Sequence, residues 1–133
     1  MPPQDFKKLT DYWHDLSIKH KVTSQKLFKL GDYPAALFYA HLSMETFLKE
    51  LIVLTSRDHA PYVHGLAYLA GKIPVEADKQ DVELLERLNK FNVQSRYPHE
   101  VMVLYEITSE ECKILLQAAE RLKQWFRRAL KIK

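Results

Sequence analysis

An arginine and a histidine stand close together in the stretch 92-NVQSRYPHEV-101, where Arg96 and His99 are separated by two residues. A guanidinium group can hold a phosphate with a two-pronged hydrogen bond. An imidazole titrates near neutral pH and can move a proton. Together the two groups could bind a nucleotide, or cleave RNA without a metal ion. The same residues also fit a plainer role, in which a helix ends at a basic residue, a proline and an exposed histidine.

His41 and Glu45 form a second pair with chemical potential, because they lie one helical turn apart and could act as two metal ligands. A zinc site needs three or four ligands, and the sequence contains neither an HExxH motif nor paired CxxC motifs. Lys49 follows Glu45 by four residues, an order that favours an ion pair along a helix. The sequence therefore predicts no metal site here.

Two other kinds of enzyme site find no support in the sequence. The three glycines, at positions 31, 65 and 71, are too far apart for the GxxxxGK or GxGxxG loops that hold phosphates or dinucleotides. Cys112 falls on the apolar face of the last predicted helix, where a cysteine is more often inert core than a nucleophile. No cofactor is therefore expected.

The C-terminal run 121-RLKQWFRRALKIK-133 is basic and contains no acidic residue. Cations near the C-terminus of a helix are favoured by the helix dipole. The same lysines and arginines could contact RNA phosphates. Trp125 and Phe126, however, face the expected core and do not alternate with basic residues for base stacking. The pattern favours the structural role over the RNA-binding one.

The composition fits one soluble domain over residues 1–133. The chain is 47% hydrophobic, enough for one core, and its net charge of +3 neither demands nor excludes a nucleic-acid partner. One cysteine cannot form an internal disulfide, so a reducing cytoplasm is the expected location. No signal peptide is recognisable, and the apolar runs are too short to span a bilayer, so no membrane partner is expected.

Helical segments must position all of these residues, because apolar side chains recur at intervals of three and four along most of the chain. We predict helices over about 6–30, 33–56 and 64–70, a fourth from 78 or 81 to 95 or 96, and a last one from 108 to about 130. No strand signals occur. The predicted fold is an all-α, up-and-down antiparallel bundle of four long helices and one short helix.

Local signals fix the ends of these helices. Gly31 stands where a left-handed C-terminal cap belongs, and Asp32 can cap the helix that follows. Pro98 strains the helical conformation of the residue before it, so the fourth helix should end near position 95 or 96. Thr108 and Glu111 form a capping box for the last helix.

The apolar residues also predict which helix faces are buried. The second helix is apolar nearly all round, as expected of a central helix. The first and last helices each show one apolar seam. The first seam consists of Phe6, Leu9, Trp13, Leu16, Leu27 and Leu30, and the last of Cys112, Leu115, Ala119, Leu122, Phe126 and Ala129.

Three segments, in this order and spacing, resemble the HEPN domain, the family named for higher eukaryotes and prokaryotes nucleotide-binding. The segment 31-GDYPAALFYAHLSMETFLKELIV-53 is similar to the family's second helix. His64-Gly65-Leu66-x-x-Leu69 resembles its His-x-Leu-x-x-Leu segment. Leu88-Asn89-x-Phe91 followed by Ser95-Arg96-Tyr97-Pro98 resembles the "RYP" ending of many bacterial members. The resemblance covers roughly residues 6–130.

This resemblance implies a helical bundle that pairs into a homodimer. Many bacterial members associate with a minimal nucleotidyltransferase encoded beside them. Some are metal-independent ribonucleases, often toxins, in which an arginine and a histidine separated by four to six residues face their counterparts across the dimer cleft. A polar residue usually follows the arginine.

The sequence departs from that ribonuclease motif. Only two residues separate Arg96 from His99, and the aromatic Tyr97 follows the arginine. Six residues separate Arg57 from His64, but this pair lies in the loop after the second helix, whereas the family motif lies in the C-terminal half. The ribonuclease role is therefore less favoured than a binding role.

We predict a non-catalytic HEPN protein that acts as a homodimer and binds a nucleotide, an RNA or a minimal nucleotidyltransferase, as in toxin–antitoxin-like pairs. Arg96 would hold a phosphate, and Tyr97 would stack on a base or pack. His99 and Asn92 would add hydrogen bonds, and Lys49 is a weaker candidate for the same surface. The alternatives are a metal-independent ribonuclease toxin that uses Arg96 and His99, and a purely structural interaction module.

Overall fold

The computed structural model of the chain describes residues 2–92 and 106–133. Its helices are α1 (Pro3–Lys29), α2 (Tyr33–Ser56), α3 (Leu66–Ala70), α4 (Lys79–Asn89) and α5 (Ser109–Ala129). The described residues include no strand, and the predicted all-α bundle is confirmed. The site predictions for Arg96, Tyr97 and His99 lie outside the described residues.

The turn between α1 and α2 has the predicted conformation. Gly31 adopts a left-handed φ of 82°, which a residue without a Cβ takes at little cost. The Asp32 carboxylate accepts a hydrogen bond from the backbone N–H of Ala35 at 3.3 Å and so caps α2. Three residues therefore suffice to reverse the chain.

Caps also fix the starts of α4 and α5. Asp78 Oδ1 accepts a hydrogen bond from the backbone N–H of Asp81 at 2.9 Å. Thr108 Oγ1 accepts one from the backbone N–H of Glu111 at 3.1 Å. The predicted end of α4 near position 95 or 96 is wrong, because the helix ends at Asn89. The next three backbone N–H groups bond to carbonyls three residues back, a tightening that ends the helix well before Pro98 has any effect.

The central position predicted for α2 is correct. Nearly every residue from Ala36 to Val53 is buried, including charged ones. The other helices cover it with apolar side chains such as Leu69 of α3, Leu85 of α4 and Phe126 of α5. Ala129 is exposed, but the other five residues of the predicted α5 seam are buried. One consequence is that the buried charged side chains of α2 depend on partners inside the protein.

The buried face of α1 differs from the prediction. None of the large residues of its predicted seam is fully buried, and Leu30 is 80% exposed. The buried positions are Thr10, Ser17 and Ser24, which recur every seven residues. Small side chains let two helix backbones approach closely, so they occupy the line of contact while larger neighbours pack on either side.

Hydroxyl groups join the two helices along this line. Ser17 Oγ donates to the carbonyl oxygen of Ser43 at 3.1 Å, and Ser43 Oγ donates back to the carbonyl oxygen of Ser17 at 2.9 Å. Ser24 Oγ donates to the carbonyl oxygen of Ala36 at 2.6 Å. The partner's number on α2 falls as the number on α1 rises, so the two helices are antiparallel.

Substituting a large residue into this line should separate the helices. We expect Ser17→Leu to lower the free energy of unfolding by about 2 kcal/mol, because the added side chain has no space and the hydrogen bond from Ser17 Oγ is lost. Gln25→Leu, on the exposed side of α1, is the matched control and should change stability little. Urea denaturation followed by circular dichroism measures both; equal stability of the two variants would contradict the close-packed seam.

Candidate functional site: a buried polar cluster on α2

Glu45 is the centre of a polar cluster in the middle of α2. The residue is 6% exposed, so its carboxylate is almost cut off from water. Its oxygens lie 3.1 and 3.2 Å from Nδ1 of His64, and Oε2 also accepts a hydrogen bond from Lys49 Nζ at 3.2 Å. A buried carboxylate is tolerated when it is paired and hydrogen-bonded in this way.

His41 is the least exposed member of the cluster. Its side chain is fully buried, and Nε2 lies 3.9 Å from Oε1 of Glu45, beyond hydrogen-bond distance. Neither ring nitrogen makes a hydrogen bond with a described residue, although Asn89 and the backbone of His64 lie near enough to favour the protonated form. Burial is the larger effect and lowers the pKa of His41 below its ordinary value of 6.5. His41 is therefore neutral at pH 7.

His64 connects the cluster to the surface. Its side chain is 69% exposed although Nδ1 faces the buried carboxylate. Two residues further on, the backbone N–H of Leu66 donates to Oδ1 of Asn89 at 3.1 Å, which ties the start of α3 to the end of α4. Asn92 follows within one turn, because its backbone N–H donates to the carbonyl oxygen of Asn89. The structure thus brings His64 and the end of α4, which leads to the predicted binding residue Asn92, to the same region beside the middle of α2.

Lys49, the other described residue of the predicted binding set, is buried. Its side chain is 7% exposed, its ammonium group is paired with Glu45, and it lies 5.3 Å from the centre of the Trp13 ring. The predicted ion pair between Glu45 and Lys49 is therefore present. A phosphate would have to compete with a carboxylate for this lysine, and contact of Lys49 with a nucleotide stays a prediction.

Arg57 and His64 are held by different parts of the protein. The Arg57 guanidinium carbon lies 4.0 Å above the centre of the Phe6 ring, at the start of α1. Arg57 follows Glu45, the partner of His64, by 12 residues, or about 18 Å along a helix axis. The structure therefore does not assemble this pair into one site.

Two basic residues of the C-terminal run have structural partners. Arg127 donates to Glu50 of α2 at 3.1 Å, where His14 of α1 also contacts the carboxylate at 3.2 Å. Lys123 donates to Ser43 at 2.6 Å and to Glu120 at 2.8 Å. These contacts support the structural interpretation of the run for the two side chains that point inward.

The pKa shifts around Lys123 follow from its burial. Desolvation lowers the pKa of Lys123 below its ordinary value, against the attraction of Glu120. Burial raises the pKa of Glu120, but Lys123 and Lys21 together outweigh it and hold that pKa below its ordinary value. The group is a compact ion cluster between α1 and α5, in which Glu120 offsets part of the charge of the two lysines.

Cys112 is core, as predicted. Its side chain is fully buried, and burial raises the pKa of the thiol to about 11. A thiol with such a pKa supplies almost no thiolate at neutral pH and is a poor nucleophile.

The described part of the chain offers neither a metal cluster nor a membrane span. Across residues 2–92 and 106–133, no three histidine, cysteine, aspartate or glutamate side chains are grouped so that they could hold a metal ion. Within the same ranges, no helix combines the length and apolar character needed to cross a membrane.

The sequence signals for the Glu45 cluster were incomplete. Four-residue spacing identified the bond between Glu45 and Lys49. The bond between Glu45 and His64 joins residues 19 apart across a loop, and no local pattern reports such a contact. The one signal in the sequence was a glutamate within the most apolar helix of the chain, which needs a partner from elsewhere.

Comparisons with known proteins agree on the fold. A family model described as "HEPN domain" matches residues 12–129. The crystal structure of TT1696 from Thermus thermophilus superposes with a TM-score of 0.73 at 23% sequence identity, covering 90% of this chain and 96% of that one. No curated protein shows significant similarity to the chain.

The buried histidine should make stability depend on pH. Because the pKa of His41 is lower in the folded than in the unfolded state, the unfolded state binds more protons as pH falls below about 6.5, and stability decreases. We expect His41→Leu to reduce the slope of the unfolding free energy against pH by up to about 1.4 kcal/mol per pH unit. Urea denaturation between pH 7.5 and about 5 measures it.

The matched control for this prediction is His59→Leu, which replaces an exposed histidine in the loop after α2. The dependence of its stability on pH should equal that of the wild type, because the His59 side chain is exposed in the folded protein as it is in the unfolded chain. An unchanged slope in His41→Leu would show that His41 is protonated as readily in the folded protein.

Proposed function

Since the chain belongs to the HEPN family, we propose that it is a non-catalytic binding domain that recognises a nucleotide or an RNA in the region where α4 ends beside the middle of α2. The observation that carries the proposal is the position of Asn92. The bond between Asn89 and Leu66 holds this end of α4 beside His64 and the Glu45 cluster. Arg96, Tyr97 and His99 follow Asn92 within seven residues in the sequence.

Each of these residues has a suitable chemical role. Arg96 supplies the two-pronged hydrogen bond to a phosphate, and Tyr97 supplies a ring for stacking on a base. Asn92 and His99 supply further hydrogen bonds. The net charge of +3 is compatible with a polyanionic ligand.

Two observations support binding over cleavage. His99 follows Arg96 after two residues, whereas the ribonuclease members of the family separate the pair by four to six. The other arginine and histidine with a suitable spacing, Arg57 and His64, contact different regions of the protein. A metal-independent ribonuclease toxin remains the alternative, because both residues of the first pair are present in the sequence.

The assembly we propose is a cytoplasmic homodimer in which the binding regions of the two copies face a shared cleft. A minimal nucleotidyltransferase would be the protein partner, as in toxin–antitoxin-like pairs of this family. Under this proposal the chain supplies the nucleic-acid or nucleotide contact, and any transfer chemistry belongs to the partner.

Arg96→Ala should weaken ligand binding about tenfold or more, because a hydrogen-bonded charge on a phosphate contributes about 1.5–3 kcal/mol. Fluorescence anisotropy with a labelled short single-stranded RNA and calorimetry with nucleoside triphosphates measure the affinities. Arg87→Ala, an exposed arginine on α4, is the matched control and should leave affinity nearly unchanged. Equal binding by wild type and Arg96→Ala would remove Arg96 from the site.

The purified protein should sediment as a dimer and leave RNA intact, both with a chelator and with added divalent cations. Analytical ultracentrifugation and gel analysis of a labelled RNA test the two statements separately. Cleavage in the presence of chelator that is lost in His99→Ala would establish the ribonuclease alternative instead. A monomer at all accessible concentrations would rule out a shared cleft.

A further inference from the structure

We propose that Glu45 and His64 form a phosphate-binding site, in which the buried carboxylate holds the imidazole so that its outer nitrogen contacts a phosphate oxygen of the ligand. The inference rests on the proposed function, since it names a binding residue for the same nucleotide or RNA. His64 would then contact the ligand in addition to the predicted binding residues Asn92, Arg96, Tyr97 and His99.

The geometry of the histidine fixes which nitrogen is available. Nδ1 of His64 lies 3.1–3.2 Å from both oxygens of Glu45. This nitrogen therefore carries a proton and donates a hydrogen bond to the carboxylate. The two ring nitrogens lie on different sides of the imidazole, and the side chain is 69% exposed. Nε2 is therefore directed away from Glu45 and is accessible to a ligand.

The charges around the imidazole favour an anion. Lys49 already pairs with Glu45, so the carboxylate and the ammonium group cancel in charge. His41, on the same face of α2, stays neutral because burial lowers its pKa. Hydrogen bonds from both ring nitrogens require the imidazolium form of His64, whose single positive charge would lie at the exposed end of the cluster. A phosphate oxygen placed there would accept a charge-assisted hydrogen bond from Nε2.

Stability alone does not account for a carboxylate at position 45. Removing a glutamate from water costs several kcal/mol, and its ion pairs often only offset that cost. Apolar side chains at both 45 and 49 would fill similar space without that cost, whereas a leucine at 45 alone would leave the buried Lys49 unpaired. What a leucine could not do is fix the orientation and the proton position of His64. We assign Glu45 as a positioning residue and His64 as the ligand contact.

His64 lies in the region where the proposed function places the ligand, near the end of α4. His64 precedes Leu66, whose backbone N–H is held by Asn89 at the end of α4. Asn92 lies one turn further along the chain. A nucleotide that contacts Asn92 therefore has the exposed imidazole within the same region.

The test compares three variants with three phosphate probes. Inorganic phosphate, a nucleoside triphosphate and a short single-stranded RNA are titrated against wild type, His64→Ala, Glu45→Gln and the control His59→Ala. We expect His64→Ala to weaken nucleotide and RNA binding about tenfold and Glu45→Gln to weaken it severalfold, with no change in His59→Ala. Binding of inorganic phosphate that is lost in His64→Ala would show that the site recognises the free anion as well as the nucleotide.

A spectroscopic measurement keeps the inference testable if a variant unfolds. In the folded wild type, the ¹⁵N shifts of His64 should report a proton on Nδ1, and the Nε2 resonance should move on addition of nucleotide while the resonances of His59 do not. In Glu45→Gln, the proton should redistribute between the two nitrogens of His64, an effect that loss of stability alone does not produce.

Failure of this inference can be told apart from failure of the proposed function. If wild type and His64→Ala bind the nucleotide or RNA equally, and the His64 resonances are unmoved, the Glu45–His64 site is ruled out while the proposed function stands. If the wild type binds none of the three probes, both are overturned.

Discussion

A charged side chain that is taken out of water must find its partner within the protein, and α2 carries several. Glu45 is satisfied by His64 from the loop before α3, and Glu50 by Arg127 of α5 together with His14 of α1. These bonds run from the central helix to three other parts of the chain. The apolar contacts determine how tightly the helices pack, whereas the polar bonds restrict them to one arrangement about α2, since a shifted helix would leave a buried charge unpaired.

Helix ends were predictable to the extent that a local signal set them. The start of α2 follows from Gly31 and Asp32, and the start of α5 follows from the Thr108 cap, all of which act over a few residues. The end of α4 was missed because proline sets only the latest possible stop, while the turn after Asn89 comes earlier. The buried face of α1 was missed because close contact between helices selects small residues, and a hydrophobic pattern gives serine no weight.

The candidate site shows the same division between local and distant contacts. The Glu45–Lys49 bond lies within one helix and was predictable from spacing. The Glu45–His64 bond depends on the path of a loop, and the pairing of Arg127 with Glu50 joins residues 77 apart. In the basic C-terminal run, Lys123 and Arg127 point inward to carboxylates, whereas Arg121, Arg128, Lys131 and Lys133 are exposed.

The short reversal at Leu30, Gly31 and Asp32 also bears on how the chain folds. It joins α1 and α2, the two longest helices of the described chain. The contacts of Ser17 and Ser24 with α2 therefore form across a very short connection and cost little chain entropy. Contacts between neighbouring segments form faster than those that wait for distant ones. We therefore expect the α1–α2 hairpin to assemble early. Glu45 and Glu50 of α2 would then stay hydrated until α5 and the loop before α3 pack against them. This order of assembly would bury the two carboxylates only when their partners are in place.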